Sequence, residues 1–256
     1  MTADGQPTLV PTDAPYRRRI ELRPGLGVVE ASMEDYVHHV ALRLHHRDAV
    51  VEAVEVVGVR LPWSSCGQGA AGLANLRGVG LAEVADLRRW MGARTHQCVH
   101  TTDLAVLAAA AALRDRAVDY EVWLEGVGRR RMESRLLRDG DEWATWVLVE
   151  GQLVDEGRFA GLRLASRDFA AWTSEHLDAA DAEAAAVLRR GTHIGLSRGI
   201  DTTSWEHPDD ARPADDSCFT YAGDVAGVAV KTIRLRATEE DGEGAPTARP
   251  ASWTRL

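Results

Sequence analysis

The sequence predicts an α+β fold, an antiparallel sheet with helices packed on one face. Alternating apolar and polar residues mark strands in two separate clusters. Each cluster is followed by alanine-rich segments with apolar residues at helical spacing. Within the second cluster Asp139-Gly140 is a strong hairpin signal. Strands then helices, twice over, fit an α+β architecture and also an internal duplication.

Residues 1–16, rich in Pro, Thr, Asp and Gly, read as a disordered leader. One domain is expected over 17–200, in halves 17–117 and 118–200, with an extended, partly disordered tail over 201–256. Arg17–Arg23 is strand-like and stops at Pro24-Gly25, and Gly27–Ser32 is a short extended piece. The stretch from Met33 to Pro62 reads as a hairpin. In it Tyr36, His38, Val40, Leu42 and Leu44 share the more apolar face, so His38 is expected inward and His39 outward. His46-Arg47-Asp48 is the turn, and Ala49–Arg60 is a valine-rich returning strand. Cys66–Arg77 has helical spacing up to a stop at Gly78. Leu81–Met91 is a second helix, and a third, capped by Thr101 or Thr102, runs to about Arg116. Strands follow at Tyr120–Leu124, Arg131–Arg138 and Glu142–Leu153, then helices at Asp168–Leu177 and Ala179–Arg190. In the tail, one element near Cys218–Ile233 is expected to wrap the domain.

Composition excludes several partners. A net charge of −9 opposes a nucleic-acid backbone. The longest apolar run, Leu104–Leu113, falls short of the roughly 18 residues that span a bilayer. The N-terminus lacks the pattern of a secretory signal, and three cysteines do not make a disulfide framework. Lys231 is the only lysine, and the arginine- and alanine-rich composition fits a high-GC genome. The expectation is a cytoplasmic bacterial protein with a small-molecule substrate, no membrane or nucleic-acid partner, and room for homo-oligomers.

Cys66 and Cys98 each stand before a small-residue helix, where the positive end of the dipole favours thiolate, the form that attacks and binds metals. An inward His38 beside them would complete a Cys₂His set suited to zinc with an open fourth position. His100 and Asp103 follow Cys98 closely and could act in acid–base chemistry or orient a ligand. Glu34 and Asp35 precede His38; strand alternation sets Glu34 on its side and Asp35 away from it. Arg60 could clamp an anion and Trp63 could wall a pocket. The glycine-rich pieces match no phosphate loop.

EDYVHH, RLPWSSC, CVHTTDLAVLA, LRDG, FAGLRL and AVLRR, in this order over residues 17–195, resemble an uncharacterised bacterial family, domain of unknown function 2889. His100 and Asp103 keep their places in that pattern, while Val99 stands where the family tends to have Thr. CGQGAAGLANLRGVGLAEV followed by HQCVHTTDLAVLAAAAALRD is more remotely similar to the NifU/SufE-like iron–sulfur scaffolds. That resemblance implies a three-stranded sheet on which His38, Cys66 and Cys98 meet.

These residues point to an enzyme of lyase or hydrolase type. It would act on a small anionic or aromatic metabolite, with His38, His100, Asp103, Glu34 and Asp35 as acid–base candidates. Arg60 and Trp63 would hold the substrate, and His38, Cys66 and Cys98 would hold zinc. The alternative is an iron–sulfur or metal-handling accessory protein using the same residues.

Overall fold

Period-two alternation of buried and half-exposed residues builds most of this protein. In β1, Tyr16–Gly25, the side chains of Tyr16, Arg18, Ile20 and Leu22 are buried while their neighbours are half-exposed. The computed structural model describes residues 9–86, 97–154, 157–165, 169–211, 218–232 and 254–255. After β1 come β2 Val28–Asp35, β3 His39–Arg47 and β4 Val50–Arg60. The helical pieces α1 Cys66–Gly69, a 3₁₀ turn Ala70–Leu76, α2 Leu81–Val84 and α3 Val99–Arg114 follow. The second half holds β5 Val118–Glu125, β6 Arg131–Arg138, β7 Asp141–Val149, β8 Gln152–Leu153, α4 Phe169–His176 and α5 Ala179–Gly195. Three 3₁₀ turns, Leu196–Gly199, Pro208–Ala211 and Phe219–Tyr221, a short helix α6, Gly223–Val228, and a two-residue strand β9, Thr254–Arg255, complete the described elements.

The strands form one antiparallel sheet in the order β8-β7-β6-β5-β1-β2-β3-β4-β9. Two meanders are thus joined along a single seam, β1 against β5, with Ile20 opposite Tyr120 and Leu22 opposite Val118. Helix α3 lies over β1–β3, and α5 lies over β5, β6 and β1. Between them and the sheet sits the core, including Leu22, Leu42, Leu104, Ala108, Leu124, Trp146 and Leu188. The other sheet face is laced with ion pairs such as Arg17–Glu121 at 2.9 Å and Arg43–Glu30 at 2.9 Å. The α+β class, with helices on one face, is the one expected. Among the described residues no helix is long and apolar enough to cross a membrane.

Helix α5 reaches the seam through two glycines. A Cβ on Gly191 would lie 2.7 Å from Val122 Cγ1, and one on Gly195 would lie 2.7 Å from Tyr16 Cδ1. The helix therefore sits closer to β5 and β1 than any larger residue at these points would let it.

Several local expectations are corrected. Residues 9–15 are not a free leader: Val10 N–H donates to Gly199 O at 2.6 Å, Thr12 N–H donates to Val127 O at 3.1 Å, and Tyr16 opens β1 fully buried. Residues 1–8 lie outside the described residues. The strand carrying Glu34, Asp35 and His38 is broken by a turn, because Asp35 Oδ1 accepts from the backbone N–H groups of Val37 and His38 at 2.9 and 2.7 Å. This places Asp35 on β2 and His38 in the turn before β3. His39, expected to face outward, is buried. The helix expected over Cys66–Arg77 is one α-turn continued as 3₁₀. Helix α3 starts at Val99, so Thr101 and Thr102 lie inside its first turn rather than capping it; Thr101 Oγ1 donates to Cys98 O at 3.1 Å. The part of Leu81–Met91 beyond residue 86 lies outside the described residues. Of the tail element expected near Cys218–Ile233, the described residues 218–232 pack on the segment after β4, with Thr232 N–H donating to Pro62 O at 2.9 Å and Ser64 N–H donating to Val230 O at 2.9 Å.

Candidate functional site

The site grows from a cross-strand pair. Arg18 on β1 stands opposite Asp35 on β2 in the antiparallel register, and both point into the core side of the sheet. Asp35 Oδ2 accepts from Arg18 Nη2 at 2.6 Å, Arg18 Nε at 3.2 Å and the Tyr16 hydroxyl at 3.1 Å. Its Oδ1 takes the two turn amides and faces His38 Nδ1 at 3.2 Å. Burial alone would push the Asp35 carboxyl up, but nearby His38 and Arg18 together hold it well below the usual carboxylate range. An ionised carboxylate only accepts, so Nδ1 of His38 carries the proton and Nε2 is left for other work.

His100, in the first turn of α3, lies against His38 with ring centroids 3.9 Å apart and planes inclined by 31°. Burial first, then the nearness of His38 and Arg18, keeps the imidazole of His100 well below its ordinary pKa and therefore neutral at pH 7. Its Nε2 is buried without a hydrogen-bond partner among the described residues. One turn along α3, Asp103 meets Arg190 of α5, with Nε 2.7 Å from Oδ2 and Nη2 donating to Oδ1 at 3.3 Å.

A cavity of about 310 Å³ opens beside these groups, between α3, α4 and α5. Ile20 and Met33 from the sheet, Leu104 and Leu107 from α3, Phe169 from α4 and Val187 from α5 form its apolar walls. Arg18, His100, Asp103 and Arg190 form a polar part of the lining. His38, stacked on His100, stands next to that part.

The expected residues therefore divide. His100 and Asp103 line the cavity, while His38 and Asp35 stand behind its lining, His38 against His100 and Asp35 against Arg18. Glu34 and Arg60 do not line it: they pair at 3.3 Å, with His39 Nδ1 3.8 Å from the same Glu34 oxygen, and Arg60 Nη2 also donates to the Asp35 carbonyl. The broken strand reverses the expected sides, giving Asp35 rather than Glu34 to His38. Trp63 is covered by the tail, its Nε1 donating to the Tyr221 hydroxyl at 3.3 Å, and does not line the cavity.

Cys66 and Cys98 do come close, at a crossing of α1, the start of α3 and the tail. Cys98 N–H donates to Gly69 O at 2.9 Å, and a Cβ on Gly69 would lie 3.2 Å from Cys98 Cβ and 3.0 Å from Phe219 Cβ. The tail brings a third thiol, Cys218, to this crossing. The expected thiolates are corrected: burial pushes the Cys66 thiol up to about 12 and Cys218 up to about 11, and raises Cys98 as well. A helix of four residues adds too few peptide dipoles to oppose that burial. Among the described residues no group of three or more His, Cys, Asp or Glu is arranged to hold a metal ion, so the expected His38–Cys66–Cys98 triad is not assembled.

Arg18, Arg190 and Cys218 were not among the expected site residues. Arg18 had a readable signal, since it shares its strand face with Tyr16, Ile20 and Leu22, which are apolar or aromatic. Arg190 had none, because its partner Asp103 is 87 residues away.

Residues 18–114 match the family model described as Protein of unknown function (DUF2889). That stretch runs from β1 to the end of α3 and carries Arg18, Asp35, His38, His100 and Asp103 but not Arg190. No curated protein and no solved structure matches the chain. The three-stranded sheet implied by a NifU/SufE-like scaffold is not what forms; β1–β4 belong to a nine-stranded sheet.

Proposed function

We propose that the protein is an enzyme of lyase or hydrolase type that moves a proton to or from a small metabolite held in the cavity. The observation that carries this reading is the Asp35–His38–His100 arrangement beside the cavity, with 3.2 Å between His38 Nδ1 and Asp35 Oδ1. His38 is the acid–base group: Asp35 fixes its tautomer and balances the charge it gains on taking a proton through Nε2. Arg18 and Tyr16 are positioning residues that hold the carboxylate. His100 contributes a neutral imidazole in the cavity wall, and Asp103 with Arg190 ties α3 to α5 across it.

The test is a metabolite panel in D₂O followed by proton NMR. A lyase introduces deuterium at the carbon that loses its proton, or forms a double bond; a hydrolase releases an acid and an alcohol or amine. On the substrate so found, His38→Gln is expected to lower kcat by roughly 10²–10⁴, the range of general acid–base contributions. Unchanged turnover in both His38→Gln and His100→Gln overturns the reading.

A further inference from the structure

The lining of the cavity selects the chemistry of its occupant. Arg18 and Arg190 are the cations that draw attention to an anionic ligand, yet each is already matched. Arg18 gives Nε and Nη2 to Asp35, which is wholly buried behind it, and Arg190 grips Asp103 through two nitrogens. Arg189 and His193, also in the lining, have partners of their own, Arg189 Nε donating to Leu164 O at 2.8 Å. A carboxylate entering here would have to shed its hydration and compete with a carboxylate already bonded to each of Arg18 and Arg190.

His100 differs from these groups. His100 lines the cavity, and its buried Nε2 has no hydrogen-bond partner among the described residues. The remaining walls are largely apolar, from Ile20, Met33, Leu104, Leu107, Phe169 and Val187. We infer that the cavity binds an uncharged, largely apolar alcohol or phenol whose hydroxyl group becomes the partner of His100. A hydroxyl is the group that serves either tautomer of the imidazole, because it both donates and accepts. The volume of about 310 Å³ is roughly twice that of an apolar cavity of ~150 Å³ known to take benzene, which leaves room for a ring with a short side chain. The inference rests on the acid–base reading for its catalytic meaning and on the cavity lining for its ligand class.

Isothermal titration calorimetry of the full-length protein with a matched trio tests it: 4-propylphenol, propylbenzene and 4-propylbenzoate. The phenol is expected to bind at least tenfold more tightly than either of the others. His100→Phe should bring the phenol to the affinity of the hydrocarbon while leaving the hydrocarbon unchanged. Ala186→Phe, which fills the cavity from α5, should abolish all binding with the fold retained by circular dichroism. Tightest binding of the benzoate overturns the inference, as do equal affinities of phenol and hydrocarbon, no binding of any probe, or a phenol preference that survives His100→Phe. The two readings fail separately. Phenol binding that depends on His100, without proton transfer on any hydroxylated substrate, sinks the acid–base reading alone. Turnover confined to anionic substrates sinks this inference alone.

Discussion

His38 and His100 face each other across 3.9 Å although they come from different elements, one from the β2–β3 turn and one from the first turn of α3. The turn amides and Arg18 hold Asp35, Asp35 holds His38, and the stack places His38 beside the cavity. A proton on His100 would lie against His38 and Arg18 in a buried position, which is why its neutral form is favoured.

That preference makes stability depend on pH. The folded pKa of His100 is lowered, so below about pH 6.5 the unfolded chain takes up a proton that the folded chain refuses. Stability is complete above that pH and falls as the pH drops, by up to about 1.4 kcal/mol per unit for one such group. Burial lowers His39 in the same direction. Urea denaturation at pH 7.5, 6.0 and 5.0 should show the loss, and His100→Phe should reduce its slope without removing the share of His39.

The Arg18–Asp35 pair is expected to be costly to break from one side. Arg18→Met leaves a buried carboxylate and should destabilise by about 3–5 kcal/mol, while Arg18→Met with Asp35→Leu should recover part of that loss. Denaturant midpoints of the two single variants and the double variant measure it. A double variant no better than the sum of the singles would show that Asp35 matters mainly through the turn amides.

The three thiols should be slow to react in the folded protein. Cys66, pushed up to about 12, presents almost no thiolate at pH 8, whereas an unfolded cysteine ionises near pH 8.5. Reaction with a chromogenic disulfide should be roughly a hundredfold or more slower in buffer than in urea. The sign of the linkage is opposite to that of His100: the folded pKa is raised, so stability is intact below about pH 8.5 and declines as pH rises above it.

Gly195→Ala tests the close approach of α5. The added Cβ would meet Tyr16 at 2.7 Å and Leu124 at 2.8 Å, side chains fixed in the core, and should cost about 1–3 kcal/mol. Since Tyr16 also donates to Asp35, the same variant should lower turnover of a located substrate by displacing the carboxylate.

Periodicity carried most of the architecture. Strands β5 and β6 and helix α5 lie close to where alternation and helical spacing put them, and Asp139 and Gly140 adopt the positive φ values of 56° and 89° that their hairpin needs. The single strand expected over Glu142–Leu153 is instead turned back on itself at Glu150-Gly151, where both φ values are positive, and forms β7 and β8. The site was legible as a neighbourhood, through His38, His100 and Asp103, but its wiring was not. Alternation assumes an unbroken strand, and the carboxylate of Asp35 breaks this one by bonding the amides that a longer ladder would have used. Cys66 misled for a related reason: a helix start is visible in sequence, whereas burial under the tail is a tertiary fact. Arg60 and Arg18 exchanged roles because charge type is local and the facing strand is not.

The seam between β1 and β5 ties the two meanders into one opening unit. Arg18 enters the cavity from one meander and Arg190 from the helix packed on the other, so the cavity exists only while the seam is closed. An occupant is therefore bound solely by the docked form, and its free energy adds to the protection of the amides of β1 and β5 against hydrogen exchange. Exchange along this seam would report occupancy even for a ligand that is never turned over.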